Sequence, residues 1–394
     1  MIHKLTLRNF KGIESAELAL ERLTVFVGPN ASGKTSILQA LALLSQMANP
    51  DLPRAGVLGS FGGLSAVLKR GTEGSEAFIL AEGSWRGDPG YLQVDFNPED
   101  KRPVGIEVTG EWKYEPFEVV DPPPVPFSLG TRYAKADRSA LPDVLRDWEN
   151  NILLRLEPRK LAEPSYAESV EPRVHSDGSG VASVLAQMAL NRPDNFAELL
   201  SALRAIIPQM VRVRLSLAEV TRQEIETIRI DEQPITRTVN RTYSGHRVLF
   251  DLLGASDVPS EGASEGTLLV LGLLAVLFST PRPKLVLLDD LDRGLHPKAQ
   301  KDLVAQLRKL LERDPELQII ATSHSPYLVD HLDPKEVRLS TVLPDGTIRF
   351  AELMQHPDFE RWKEVMRPGE FWSTVGEGWV GSAQEKPQQE KPQE

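Results

Sequence analysis

Hydrophobic and polar positions alternate with a two-residue period over residues 2–8, which predicts a strand whose two faces meet different surroundings. A second short strand is expected at 17–20. A third, apolar throughout, is expected at 23–27 and ends at Gly28. From residue 34 the period changes. Ile37, Leu38, Leu41, Leu44 and Met47 recur at three- and four-residue spacing, which predicts a helix over 34–47 with one buried stripe. Asn49-Pro50 ends it. Residues 51–120 read as a glycine-rich loop followed by short strands at 78–81, 91–96, 106–109 and 117–120. From about 130 to 210 the pattern is helical: Gly178 and Gly180 precede Val181, Val184, Leu185 and Met188 in phase, and 196–207 forms another such segment. Strands are expected again at 211–217, 224–230 and 248–252. A helix apolar on all sides follows near 265–278, then a strand at 285–288, a helix near 297–312 and a strand at 318–321.

Length and charge narrow the reading. The chain has 394 residues, enough for two or three domains with a sizeable core. Lysine and arginine number 45 against 56 acidic residues, a net charge of −11. That excludes a pervasively basic nucleic-acid binder, so any such contact must come from a local patch. Cysteine is absent, which excludes disulfides, thiol chemistry and cysteine-ligated zinc. The longest apolar stretch, 268–278, is 11 residues interrupted only by Gly272. A membrane-spanning helix needs about 20. Met1-Ile2-His3-Lys4-Leu5 lacks the apolar run of a secretion signal, so a cytoplasmic protein without membrane association is expected. Eight of the 30 prolines fall between Pro89 and Pro126, and the run 121–126 is read as a stiff boundary. The C-terminal repeat Gln384-Glu385-Lys386-Pro387-Gln388, Gln389-Glu390-Lys391-Pro392-Gln393 is polar and is expected to be disordered.

The chemistry begins at Gly28-Pro29-Asn30-Ala31-Ser32-Gly33-Lys34-Thr35, which fits the phosphate-loop pattern Gly-x4-Gly-Lys-Ser/Thr without a mismatch, between a strand and a helix. Glycines let backbone N–H groups curl around a polyphosphate, and the helix N-terminus adds partial positive charge. Lys34 is expected to reach the β- and γ-phosphates of ATP, and Thr35 to ligate Mg²⁺. Ser36 completes the expected ATP-binding set.

Lys284-Leu285-Val286-Leu287-Leu288-Asp289-Asp290 is an apolar strand ending in two carboxylates, the form of a Walker B strand. At the C-terminal end of a parallel strand these lie beside the phosphate loop. Asp289 is the expected metal ligand and Asp290 the expected base for the attacking water, with Lys34 and His324 as the other catalytic candidates. His324 follows the strand that ends near Ala321, within Thr322-Ser323-His324-Ser325-Pro326. Ahead of Walker B, Ser264-Glu265-Gly266 opens the apolar helix, either as a second anion site or as an ordinary helix cap.

In this order, Walker A, Ser264-Glu265-Gly266, Asp289-Asp290 and His324 resemble the ABC-type ATPases, and within them the RecF/SMC/OLD branch. Leu7-Arg8-Asn9-Phe10-Lys11-Gly12-Ile13 resembles that branch's first strand. Asp289-Asp290-Leu291-Asp292-Arg293-Gly294-Leu295-His296-Pro297 resembles OLD-like ATPases of the overcoming-lysogenization-defect and related phage-defence proteins. The resemblance covers about residues 1–50 and 245–335. It implies an α/β fold: a P-loop ABC-ATPase head whose mixed sheet is split in sequence, plus a mainly helical insertion. The halves are expected at 1–125 and 236–375, around an insertion at 126–235, with a disordered tail at 376–394. It further implies a head-to-tail homodimer that sandwiches ATP and Mg²⁺. Ser264, Glu265 and Gly266 would act in trans, and the turn from Asp292 to His296 would be the D-loop between the sites.

Asp290 stands where the family usually has glutamate, which predicts slow hydrolysis, and no glutamine is assigned to a Q-loop. Only 70 residues follow His324 and they show no cluster of nuclease carboxylates, so no Toprim nuclease domain is expected. Lys34 and Ser264 are 230 residues apart, yet the intervening chain lacks the heptads of a long coiled coil. The functional expectation is an ATPase that regulates a separate effector such as a nuclease, or acts on DNA, in phage defence or repair. The alternatives are an ATP-dependent scaffold with little turnover and, less favoured, a transporter subunit, for which a Leu-Ser-Gly-Gly-Gln signature is missing. Residues 201–250 hold eight arginines, no lysine and five acidic residues. Arg212, Arg214 and Arg222 are candidate DNA contacts, or else members of cross-strand ion pairs. Trp362, Phe371, Trp372 and Trp379 are read as packing, with a partner anchor as the other possibility.

Overall fold

The computed structural model describes residues 1–49, 51–71, 76–96, 106–113, 115–119, 148, 151–230 and 233–381. The proline run at 121–126, the boundary at 125/126, the helical onset near 130 and the repeat at 384–393 lie outside the described residues.

The chain opens with strands β1 (Ile2–Phe10), β2 (Ile13–Ala19) and β3 (Leu23–Val27), then helices α1 (Lys34–Met47), α2 (Arg54–Ser60) and α3 (Leu64–Val67). Strands β4 (Phe78–Trp85), β5 (Asp88–Phe96), β6 (Ile106–Trp112), β7 (Glu115–Glu118) and β8 (Ile152–Leu154) come next. Helices α4 (Pro158–Ala162), α5 (Val181–Asn191) and α6 (Pro193–Ile206) lead to β9 (Met210–Ile230), β10 (Gln233–Leu252) and β11 (Ala255–Pro259). The remainder is α7 (Glu265–Leu277), β12 (Leu285–Leu288), α8 (Pro297–Arg313), β13 (Gln318–Ser323), α9 (Pro326–Val329), β14 (Val337–Val342), β15 (Ile348–Glu352), α10 (Phe359–Trp362) and α11 (Pro368–Val375).

These elements gather into two compact units. One comprises Met1–Leu153, Pro283–Asp292 and Leu307–Glu394; the other comprises Leu154–Arg282 and Arg293–Gln306.

The first unit contains two six-stranded sheets. One has the order β15-β14-β3-β13-β12-β8. Within it β14, β3, β13 and β12 run parallel, and β15 returns antiparallel. Every residue of β3, β12 and β13 is buried, the continuous apolar run expected of parallel strands covered on both faces. The other sheet, β2-β1-β4-β5-β6-β7, is antiparallel where its pairings are defined. Its β1 buries Leu5 and Leu7 and turns Thr6 and Arg8 away, as the alternation predicted. Ile37, Leu38, Leu41 and Leu44 of α1 join residues of both sheets in a single buried apolar cluster. Part of the expected loop after α1 instead forms α2 and α3, because Val57, Leu58 and Val67 have an apolar surface to cover. Residues 376–381, expected as the start of the tail, hold a short 3₁₀ turn with Val380 fully buried. Phe371 and Trp372 are buried, and the His356 ring meets Phe371 and Trp379 edge-on at 5.1 and 4.9 Å.

The second unit pairs helices α4–α7 with the sheet β11-β10-β9. Nearly all of α7 is buried, as its all-round apolar sequence requires. Strands β9 and β10 pair antiparallel from Met210↔Leu252 to Ile230↔Gln233, one long ribbon in place of three short strands. Its outer half exposes both faces, so threonine, arginine and glutamate occupy them and no hydrophobic alternation marks the strand. Among the described residues, no helix is long and apolar enough to cross a membrane.

Candidate functional site

The parallel register Val27↔Ser323 and Leu288↔Ala321 brings the C-terminal ends of β3, β13 and β12 to one edge of the sheet. Gly28, His324 and Asp289 therefore emerge side by side. The loop between β3 and α1 bends sharply. Gly28 has φ +142° and Gly33 has φ +85°, and Ala31 takes the left-handed region at +61°. A β-carbon on Gly28 would overlap the Ser340 carbonyl oxygen, so the loop lies directly against β14. Gly28→Ala is expected to lower the unfolding free energy by about 3 kcal/mol, read by denaturant titration. An unchanged midpoint would show that the loop and β14 separate freely.

Inside the loop, the Ser32 hydroxyl donates to the Pro29 carbonyl at 2.8 Å and lies 2.6 Å from the Ser340 hydroxyl, which is 3.1 Å from the Val27 carbonyl. The Lys34 ammonium donates to the carbonyls of Gly28 (2.9 Å) and Pro29 (2.7 Å) and is 5% exposed. Burial pushes Lys34 below the usual lysine range, and the carboxylates of Asp290, Asp289, Glu377 and Asp292 oppose that shift. Pro29, Asn30 and Ala31 are exposed at the rim, and Ser36 stands in the first turn of α1.

Asp289 is fixed from two sides. The hydroxyls of Thr35 (3.0 Å) and Thr322 (2.7 Å) both donate to its Oδ1. Thr322 also accepts the Asp290 N–H at 2.9 Å, and its own carbonyl accepts the Leu291 N–H at 2.9 Å. Asp290 sits at φ +58°, a region that disfavours most side chains but that Asp and Asn tolerate. Its Oδ1 lies 3.9 Å from His324 Nε2, and both side chains are half exposed. The His324 N–H donates to Asp292 Oδ1 at 3.1 Å. The loop 28–36, Asp289, Asp290, Asp292 and His324 thus share one edge.

The remaining expected residues belong to the second unit. Ser264 caps α7, accepting the Thr267 N–H at 3.3 Å and meeting the Thr267 hydroxyl at 2.8 Å. Glu265 pairs with Arg293 at 2.6 Å. A β-carbon on Gly266 would overlap the Gly294 carbonyl, which is why two glycines meet there. His296 accepts the Lys298 N–H at Nδ1, 3.3 Å. The turn from Asp292 to His296 is divided between the units after its first residue. On the ribbon, Arg214 pairs with Asp251 (2.7 Å) and Asp257, and Arg222 with Glu168 and the Tyr166 hydroxyl. Arg237 pairs with Glu226 at 2.7 Å and Arg241 with Glu224 at 3.4 Å. Arg212 is exposed and stands opposite Asp251 in the ladder.

Two residues gain a role that sequence reasoning did not give them. Thr322 lies in a quoted motif, and a threonine at the end of an apolar strand beside Walker B was a usable signal. Ser340 had none, because β14 itself was not anticipated.

No cluster of three or more His, Asp or Glu converges as a metal site among the described residues. The pair Thr35 and Asp289 offers one hydroxyl and one carboxylate beside the loop. That set suits Mg²⁺, which keeps several waters and takes one or two protein oxygens beside a polyphosphate.

A family model described as "AAA domain, putative AbiEii toxin, Type IV TA system" matches residues 23–330, most of the chain. The chain belongs to this AAA-domain family. An "OLD nuclease" of Thermus scotoductus is 24% identical over 343 residues, covering 84% of this chain. The chain spans 60% of that relative's length. The SMC head domain of Thermotoga maritima is similar over 89% of this chain and 98% of its own, at 14% identity and TM-score 0.43. The Pyrococcus furiosus Smc head with an extended coiled coil, bound to the C-terminal domain of ScpA, is similar over 92% and 99%, at 14% identity and TM-score 0.47. Within the matched domain, the phosphate loop and the Walker B strand lie on one parallel sheet.

Proposed function

We propose that the protein binds and slowly hydrolyses ATP, dimerises head to tail around it, and passes that state to a separate effector such as a nuclease. The observation that carries this reading is the Thr35–Asp289–Thr322 network beside the phosphate loop, with Asp290 and His324 next to it. In this reading Gly28–Thr35 wraps the phosphates, and Lys34 exchanges its loop carbonyls for phosphate oxygens. Thr35 and Asp289 would hold Mg²⁺, which when bound neutralises charge on the β- and γ-phosphates. Asp290 accepts the proton of the attacking water, and His324 contacts the γ-phosphate. Ser264 and Gly266 of a second copy would close the site. Similarity to an OLD nuclease and a family description that names a putative toxin support an effector-linked role, in phage defence or DNA repair.

Light scattering with and without ATP and Mg²⁺ tests the assembly. Monomer mass without nucleotide and dimer mass with ATP are expected, with the ATP-dependent dimer lost in Ser264→Arg. An ATP-bound chain that stays monomeric overturns the sandwich.

A further inference from the structure

The outer half of the β9–β10 ribbon has two unlike faces. Strand β11 pairs with β10 only between Leu249 and Leu252, so further out the sheet is two strands wide. Successive side chains alternate between the faces, and the register sets odd positions of β9 beside even positions of β10. One face carries charges that are spent within the chain. Arg237 pairs with Glu226, Arg241 with Glu224 and Arg222 with Glu168, and Tyr166 stacks on Tyr243 at 4.3 Å between ring centres.

The other face continues the core outward. At its base Val213, Val248 and Phe250 are buried. From the Leu217–His246 pair to the Thr227–Thr236 pair its side chains are exposed, His246 alone being half-buried. Leu217 is 72% exposed and Ile225 76%. Threonine, serine, asparagine and glutamine make up most of the rest. Over this span Glu219 is the single carboxylate, and no lysine or arginine stands on the face. A two-stranded ribbon is only marginally stable in water, and packing against another layer stabilises it.

The spacing of these residues makes the face complementary to itself. A two-fold axis lying across the ribbon at the Thr221–Thr242 pair places β9 of one copy over β9 of another, running the opposite way. Leu217, four residues before Thr221, then meets Ile225, four residues after it. Glu219 meets Gln223, whose amide can donate to the carboxylate, so like charges do not face each other. On β10, Ser244 meets Asn240. On a chain of net charge −11, a face with one carboxylate adds little to the repulsion between copies.

We propose that this face docks the same face of a second copy, as two ribbons packed sheet on sheet. Sheets packed this way cross at about 30°, which carries the outer end of each ribbon to the side of the other's helices. The eleven exposed side chains of each copy would bury about 1,000 Å² in total, near the lower bound for specific interfaces. The contact is therefore weak alone and reinforces other contacts between copies. It needs no nucleotide and does not rest on the ATP sandwich.

The test uses the full chain without nucleotide. The sequence has no cysteine, so Thr221→Cys introduces a lone thiol that the two-fold axis sets opposite that of the second copy. A short bis-maleimide is expected to give at least about tenfold more covalent dimer from Thr221→Cys than from Val239→Cys, which lies nearby on the charged face. Adding Ile225→Asp or Leu217→Lys to Thr221→Cys is expected to abolish that excess, with the melting temperature unchanged because both positions are exposed. Mixing the two doubly substituted chains is expected to restore it, since the aspartate of one then faces the lysine of the other. Equal linking of Thr221→Cys and Val239→Cys, indifference to both charge substitutions, or no recovery on mixing overturns the proposal. The first of these leaves the face to a different partner protein. Because ATP is absent throughout, each outcome is separate from the success or failure of the sandwich.

Discussion

Lys34→Met is expected to lower ATP turnover about a thousandfold, measured as phosphate release, without lowering thermal stability. The two halves of this result have different causes. In the proposed function Lys34 brings its charge to the transferring phosphate inside a nearly closed loop, and losing one such donor in a preorganised site removes about 10²–10³ of rate. A full charge on a γ-phosphate belongs at the upper end of that range. Stability behaves otherwise. Lys34 is 5% exposed and its ammonium is held by two carbonyls, with burial disfavouring the charged form. Methionine fills a similar volume and removes that buried charge, so the melting temperature is expected to stay level or rise. Turnover within tenfold of the parent would remove Lys34 from the chemistry. A steep fall in melting temperature would mean that its carbonyl contacts hold the loop together.

Asp290→Asn is expected to cost about a hundredfold or more in the same assay, the contribution of a positioned general base. The substitution is clean for a backbone reason. Asp290 has φ +58°, and asparagine tolerates that conformation as well as aspartate does. The Thr322 hydroxyl that accepts the residue's own N–H is untouched. Activity equal to the parent would exclude Asp290 as the base and favour a scaffold with little turnover. The same φ is one that aspartate tolerates better than glutamate. Reach alone says that Asp290→Glu should be faster, because one methylene brings the carboxylate closer to the water. Glutamate has less tolerance of the left-handed region, at about 1 kcal/mol, so most of the gain in reach is expected to be cancelled.

The edge that carries the phosphate loop was readable from sequence because its constraints are local. A phosphate loop needs glycines at fixed spacing, and β3, β12 and β13 are short runs buried on both faces, so each announced itself as an apolar block. Helix α1 was readable to its last residue because one face is apolar and Gly33 starts it. The support behind the loop was not readable. Strand β14 buries Arg338, whose guanidinium donates to the carbonyls of Ala19 (2.8 Å) and Lys335 (2.6 Å), and Ser340, which is spent on the loop. Polar residues satisfied by distant main chain leave no periodic trace. The β9–β10 ribbon was read only in pieces, as strands at 211–217, 224–230 and 248–252, because with both faces wet over its outer half little in its pattern joins them. Its arginines read equally well as ligand contacts or as ion pairs, and only cross-strand register distinguishes the two. Arg237 and Glu226, opposite one another, meet at 2.7 Å.

The position of β3 also governs when this protein can mature. Its sheet neighbours are β13 and β14, drawn from residues 318–342, while β3 itself ends at Val27. During synthesis the strand that carries the phosphate loop leaves the ribosome with both edges open. It waits for almost three hundred further residues before either edge is covered. The parallel sheet around the phosphate loop is thus completed only after residues 318–342 have been made.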